Sequence, residues 1–276
     1  MFPEDFTPQK AFDRMQSGST EYTITNNGAD TRLASFFGRA NYTLKDRYLF
    51  TATVRADGST KFAPGNQWGI FPSAAFAWRI SSEPFLKNVS QIDDMKIRLS
   101  YGEAGNNRID NDMWRRTYVG AITSPVAGVG NVPNLYYENT SSTLINPSLK
   151  WETTITRNFG IDYSFFNNRL SGTIDFYWNT TKDLLLKSVV PASSGYNDQL
   201  RNIGQTSNRG FEFSITGQLV RKRNFSLTAT LNFSLNRNKV DKLAGVDETF
   251  YRSGWAEGLR ESDDFILRVG QPTGLI

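Results

Sequence analysis

Of 276 residues, hydrophobic types make up 38 %, aromatic types 13 % and charged types 21 %, with 22 Gly and 10 Pro, the composition of a folding chain rather than a disordered one. The absence of His and Cys removes the usual ligands of zinc, haem and iron–sulfur centres, the commonest general base, the thiolate nucleophile and any disulfide, and no cofactor or metal is expected. Lys plus Arg exceeds Asp plus Glu by only four, 31 against 27, and the one basic run, Arg221-Lys222-Arg223 beside Asn224, reads as a solvated turn, so nucleic acid is not an expected partner.

The first residues, Met1-Phe2-Pro3-Glu4-Asp5-Phe6, have neither a basic nor an apolar leader segment, and no secretory signal is expected in this chain. Residues 1–32 read as a partial preceding strand and loop. From 33 onward the hydrophobic pattern has period two, the mark of strands with one apolar and one polar face. It recurs at 33–44, 47–56, 67–80, 95–101, 150–166, 169–180, 205–219 and 225–236, and more weakly at 264–269. In 169–180, Leu170, Gly172, Ile174, Phe176 and Trp178 point one way and Ser171, Thr173, Asp175, Tyr177 and Asn179 the other. Aliphatic runs are short, as in Leu184-Leu185-Leu186, against the roughly 18 apolar residues of a spanning helix. Helical spans are thereby excluded, whereas barrel strands, which need roughly 9–11 residues, are not.

Connections alternate in length. Lys45-Asp46 is short, 57–66 longer, 81–94 intermediate, 102–149 very long, Asn167-Asn168 minimal, 182–204 long, 220–224 short and 238–263 long. Up-and-down membrane barrels sort their connections this way. Facing residues of a hairpin must also share a face. A two-residue Asn167-Asn168 loop passes that test, placing Phe165 opposite Leu170, Ile161 opposite Ile174, Phe159 opposite Phe176 and Arg157 opposite Trp178. At Lys45-Asp46 it fails, so a three-residue loop is expected, with Tyr42 opposite Tyr48 or Phe50. At 220–224 a five-residue loop is expected, aligning Leu219 with Phe225 and Phe213 with Leu231. Outward-facing Arg157, opposite Trp178 near the outer strand end, suits a headgroup layer as a cation–aromatic pair.

Several segments together carry a family resemblance. They are Arg55-Ala56-Asp57-Gly58-Ser59-Thr60-Lys61-Phe62, Trp68-Gly69-Ile70-Phe71-Pro72-Ser73, Ala77-Trp78-Arg79-Ile80-Ser81, Lys96-Ile97-Arg98-Leu99-Ser100-Tyr101-Gly102, Asn146-Pro147-Ser148-Leu149-Lys150-Trp151-Glu152, Asn202-Ile203-Gly204 and Asn208-Arg209-Gly210-Phe211-Glu212. In this order the chain resembles the SusC/RagA family of TonB-linked outer-membrane proteins. The resemblance implies a plugged outer-membrane barrel, of the kind that closes with 22 strands, importing glycans or peptides with energy transmitted by TonB. It also implies a SusD-type surface lipoprotein as lid. Signal, TonB box, plug and the last barrel strands are not seen in this chain, so 33–276 is expected to be an incomplete, all-β, antiparallel barrel segment of about nine or ten strands, meeting TonB only through segments outside it.

Asp162, Asp175 and Glu212 fall on polar strand faces. Paired carboxylates serve glycosidases, but beside Ser164, Ser171, Thr173 and Ser214 these read as a hydrophilic lumen, and no catalytic residue is expected. Asp110, Asn111 and Asp112 lack the Gly and distal Glu of a calcium loop. The long loops hold Trp114, Tyr118, Tyr136, Tyr137, Tyr196, Tyr251 and Trp255, aromatics suited to contact with an oligosaccharide, a peptide or the lid. The rival reading is a soluble, secreted β-sandwich that binds glycans, which predicts two sheets packed on one core.

Overall fold

The computed structural model describes residues 31–86, 89–111, 113–115, 119–122, 135–138, 142–243, 245–251 and 265–273. The chain divides into Met1–Thr31 and Arg32–Ile276, and every element below belongs to the second unit.

Eight long strands form one antiparallel meander. They are β1 (Leu33–Leu44), β2 (Tyr48–Ser59), β3 (Trp68–Arg79), β4 (Ile92–Asn106), β8 (Glu152–Phe165), β9 (Leu170–Val189), β10 (Asp198–Lys222) and β11 (Phe225–Lys242). They lie in that order across the sheet, joined by a ninth, two-residue strand, β7 (Thr143–Leu144), which pairs in parallel with β10. β5 (Val119–Ile122) pairs with β6 (Leu135–Glu138), and β12 (Glu248–Tyr251) with β13 (Phe265–Arg268), each as a separate two-stranded sheet. Phe265–Arg268, the weak strand signal, is therefore a hairpin arm of a loop rather than a wall strand. Connections 45–47, 80–91, 166–169 and 223–224 gather at one end, the turn end, and 60–67, 107–151, 190–197 and the chain beyond 242 at the other, the loop end.

Pairing follows the alternation closely. Tyr42 faces Phe50 and Leu44 faces Tyr48 across the three-residue turn Lys45-Asp46-Arg47, with Lys45 and Asp46 at φ 52° and 53°. Phe165 faces Leu170, Ile161 faces Ile174, Phe159 faces Phe176 and Arg157 faces Trp178, and the turn holds Asn167 and Asn168 at φ 57° and 59°. At the β10–β11 hairpin the expected five-residue loop is replaced by a two-residue turn, Arg223-Asn224, with Lys222 opposite Phe225. A bulge between Gln218 and Val220 then shifts the register by one, so that Phe213 meets Phe233 rather than Leu231. The bulge restores apolar-on-apolar pairing that a tight turn alone would invert.

Strands also extend further toward the loop end than the alternation indicates. Most of 182–204 is β9–β10 ladder, leaving only 190–197 as connection. In this stretch three consecutive leucines, Leu184 to Leu186, put apolar side chains on both faces, and Leu185 and Leu200 pack against buried hydrophobic residues. Register shifts around Gly204 also break the alternation although the ladder continues.

The two faces differ sharply. One carries the row Phe50, Phe76, Leu99, Phe159, Phe176 and Phe211 in unbroken cross-strand register, with ring centroids 5.0 Å apart for Phe50–Phe76 and 4.9 Å for Phe176–Phe211. Its large side chains stay open: Trp178 is 57 %, Phe233 54 % and Val54 53 % exposed. Among the described residues no second sheet covers this face, which removes the two-layer arrangement a β-sandwich requires. The other face is polar. The buried apolar core, Phe62, Phe71, Ile109, Leu149 and Trp151, sits at the loop end.

Candidate functional site: a polar barrel wall and its loop-end cap

Three neighbouring strands place four charges together on the polar face. Lys96 faces Asp162 across β4 and β8, and its Nζ lies 2.8 Å from Asp162 Oδ2. Arg98 Nε donates to Asp162 Oδ1 at 2.9 Å, and its Nη2 reaches Asp175 Oδ1 on β9 at 3.1 Å. The guanidinium thus ties two carboxylates across three strands. It passes over Gly160, where a Cβ would stand 2.6 Å from both Arg98 Nη2 and Asp175 Oδ1, so only glycine leaves the passage open. Glu212 stands opposite Asp175 on β10 and, among the described residues, forms no ion pair. Asp162 and Asp175 are thus both acceptors engaged by neighbouring cations.

The loop end is capped by segments far apart in sequence. Pairing of β3 with β4 stops at Ser73–Gly102, and the Phe71 ring lies against Gly105, where a Cβ would meet its Cζ at 2.0 Å. Trp151 lies tilted against Phe62 at 5.3 Å and meets Phe71 edge-on at 5.6 Å, while its indole Nε1–H donates to Gln67 O at 2.9 Å. Lys61 Nζ donates to Ile109 O at 2.7 Å. Asn202 accepts from Lys150 N at 3.0 Å and donates to Lys150 O and Asp183 O at 2.9 Å each. Much of the motif content of 55–62, 146–152 and 202–204 is therefore structural, locking the 60–67 and 107–151 connections onto the strand ends.

At the turn end one carboxylate gathers three donors. Glu83 accepts from Tyr48 Oη at 2.8 Å, Trp78 Nε1 at 3.0 Å and Arg47 Nη1 at 2.9 Å. Hydrogen bonds from Trp78 and Tyr48, then the Arg47 charge, hold its carboxyl below the usual glutamate range against a desolvation that opposes them.

The loop aromatics are not brought into one site. Trp114 is half-buried beside Met113, which packs on the loop-end core, and Arg115 lies over its ring at 6.0 Å. Tyr136 and Tyr137 are in β6, opposite Ala121 and Gly120, and Tyr251 ends β12 opposite Phe265. Tyr196 is half-buried in the 190–197 tip. Tyr118 and Trp255 lie outside the described residues. Arg98, Lys96, Gly160 and Glu83 were not marked by the sequence as site residues. Parity puts Lys96 and Arg98 on the polar face, but their meeting with Asp162 depends on a pairing across the 107–151 connection.

The family model described as "TonB dependent receptor-like, beta-barrel" matches residues 3–261. The chain belongs to the TonB-dependent receptor β-barrel family. It is 37 % identical over 254 residues to TonB-dependent receptor SusC of Bacteroides thetaiotaomicron, covering 90 % of this chain and 24 % of that protein. With TonB-dependent receptor P26 of Formosa agariphila the identity is 39 % over 234 residues, covering 84 % and 23 %. The RagAB peptide importer in its open-open state superposes with a TM-score of 0.77 at 27 % identity, over 94 % of this chain and 27 % of that one. The chain thus spans about a quarter of the length of these relatives. In outer-membrane β-barrels generally, strands turn an apolar face to the exterior and a polar face to the lumen.

Proposed function

We infer that residues 33–276 are part of the wall and external loops of an outer-membrane importer that takes up glycans or peptides, with TonB acting through segments outside this chain and a SusD-like surface lipoprotein closing the loop end. One observation carries this reading: a single sheet whose exposed face is a continuous aromatic and aliphatic row and whose other face is hydrophilic and ion-paired, with the longest connection, 107–151, at the loop end. Such a sheet suits lipid on one side and a watered passage on the other. The similarity to SusC and to the RagAB peptide importer supports both the transport class and the lipoprotein partner. Asp162, Asp175 and Glu212 line the passage and do no bond chemistry. Trp114, Tyr118, Tyr136, Tyr137, Tyr196, Tyr251 and Trp255 stand on loop-end segments, where flat apolar rings suit sugar rings, peptide side chains or the lid.

Replacing Trp114, Tyr137 and Trp255 with Ala in the complete receptor tests the loop assignment, with uptake of labelled oligosaccharide or peptide and lipoprotein affinity as readouts. The expected result is a loss of about tenfold or more in one of them, the effect of removing buried aromatic anchors. Unchanged uptake and unchanged lipoprotein affinity contradict the assignment.

A further inference from the structure

The outward face carries cations without an evident purpose in a lipid-facing wall. Tyr101, Arg157, Trp178, Arg209 and Arg237 face one another in sequence across five strands, β4 to β11. Arg157 lies over the Trp178 ring at 5.7 Å and the Tyr101 ring at 6.0 Å, and its Nη1 donates to Thr180 Oγ1 at 3.4 Å. Arg209 and Arg237 are directly opposed, a like-charge pair that weakens a sheet unless an anion stands between or above it. All three arginines are exposed, and among the described residues none forms an ion pair with a carboxylate. On the polar face of the same strands, by contrast, Arg98 is tied to Asp162 and Asp175.

Depth follows from counting along the strands. Arg157 is the ninth residue back from Phe165, Trp178 the ninth from Leu170 and Arg237 the thirteenth from Phe225. Since roughly 9–11 residues of a tilted strand cross a bilayer, Arg157 and Trp178 stand at the outer edge of the hydrocarbon and Arg237 above it. Two hollows meet there. A cleft of about 880 Å³ includes Thr180, Ser207, Arg209, Arg237 and the ion pair of Lys239 with Asp241, which leaves Arg209 and Arg237 as the cleft's uncompensated charges. A groove of about 780 Å³ runs below it, with Ala40, Ala52 and Ala74 on its floor and Phe50, Phe76 and Phe176 on its walls. Trp178 borders both.

We propose that this strip is a binding site for phosphate-bearing lipid of the outer leaflet, the phosphates on Arg157, Arg209 and Arg237 and an acyl chain along the alanine-floored groove. Charge complementarity selects an anionic headgroup, and guanidinium geometry suits phosphate oxygens. A zwitterionic lipid fills the groove but leaves the opposed arginines uncompensated. The proposal rests on the apolar face being the lipid-facing exterior.

The test uses the complete receptor purified in detergent and incubated with diphosphorylated lipid A, its dephosphorylated form or phosphatidylcholine, with retained lipid counted by native mass spectrometry. Each cation near an anionic lipid surface contributes on the order of fivefold, so Arg157→Gln/Arg209→Gln/Arg237→Gln is expected to lower retention of the phosphorylated lipid on the order of 100-fold. The triple Arg→Lys variant, which keeps the charge but loses the guanidinium fork, is expected to retain an amount between those of the wild type and the triple Gln variant, and Arg221→Gln/Arg223→Gln at the turn end to change nothing. Retention of the dephosphorylated lipid equal to that of the phosphorylated one, or of the phosphorylated lipid equally by wild type and the triple Gln variant at unchanged unfolding temperature, overturns the proposal. A fluorescent label at Val54→Cys, quenched by lipid-borne nitroxides, separates the premise from the proposal. An unquenched label removes the lipid-facing exterior itself, whereas a quenched label with indifferent retention removes the phosphate site alone.

Discussion

The two ends of the sheet are held by different means. The turn end rests largely on short-range chemistry, with αL residues at 45–46 and 166–168 and one glutamate that collects a tyrosine, a tryptophan and an arginine within 36 residues, although Asn168 N–H also donates to Asp93 Oδ2, 75 residues away. The loop end is closed by contacts such as Trp151 on Gln67, 84 residues apart, and by a small apolar core. The hairpins of the turn end close over short stretches of chain at little entropic cost, whereas joining β4 to β8 requires bridging the 107–151 connection.

Breaking the long-range cap has the largest effect. Trp151→Ala removes a buried ring and an indole hydrogen bond, and is expected to cost about 3–5 kcal/mol, read by urea unfolding of the receptor in detergent. Protection of the 107–151 connection from proteolysis is expected to fall with it. Equal stability of this variant and the wild type contradicts a cap built on Trp151. Gly105→Ala sets a Cβ against the Phe71 ring and is expected to cost roughly 1–3 kcal/mol. Gly105→Ala combined with Phe71→Leu is expected to recover part of that loss, which identifies the clash rather than backbone entropy as the cause.

The turn end answers to pH. The Glu83 carboxyl lies below its ordinary value of 4.5, so its contribution is fully present above that value and is lost as pH falls through the lower folded value. Thermal unfolding of the wild type is therefore expected to become acid-sensitive below pH 4.5, and Glu83→Gln to flatten that dependence. An acid profile identical in variant and wild type removes Glu83 from the account. The smallest effect is expected from Asn202→Ala, about 1 kcal/mol for three partly exposed hydrogen bonds.

The difference between the ends also governs what could be read from the sequence. The hairpin 150–180 and the three-residue turn after Leu44 were legible because parity and positive-φ asparagines constrain neighbours directly. The β10–β11 turn was misread because a bulge at Gln218–Val220 corrects a parity that the turn alone would break. Arg98 bridging Asp162 and Asp175 was not legible, since the pairing of β4 with β8 spans the 107–151 connection and nothing local encodes it. The extra length of β9 and β10 was hidden because Leu184-Leu185-Leu186 and the register shifts around Gly204 break the period-two pattern there.

The central claim is that one face of this sheet meets lipid and the other a watered lumen. Single cysteines at 173 through 179 on β9 in the complete, membrane-embedded receptor, each carrying a fluorescent label, test it directly. The account predicts that labels at Ile174, Phe176 and Trp178 are quenched by lipid-borne nitroxides and those at Thr173, Asp175, Tyr177 and Asn179 by a water-soluble quencher, in strict alternation. Uniform aqueous quenching along the strand contradicts it.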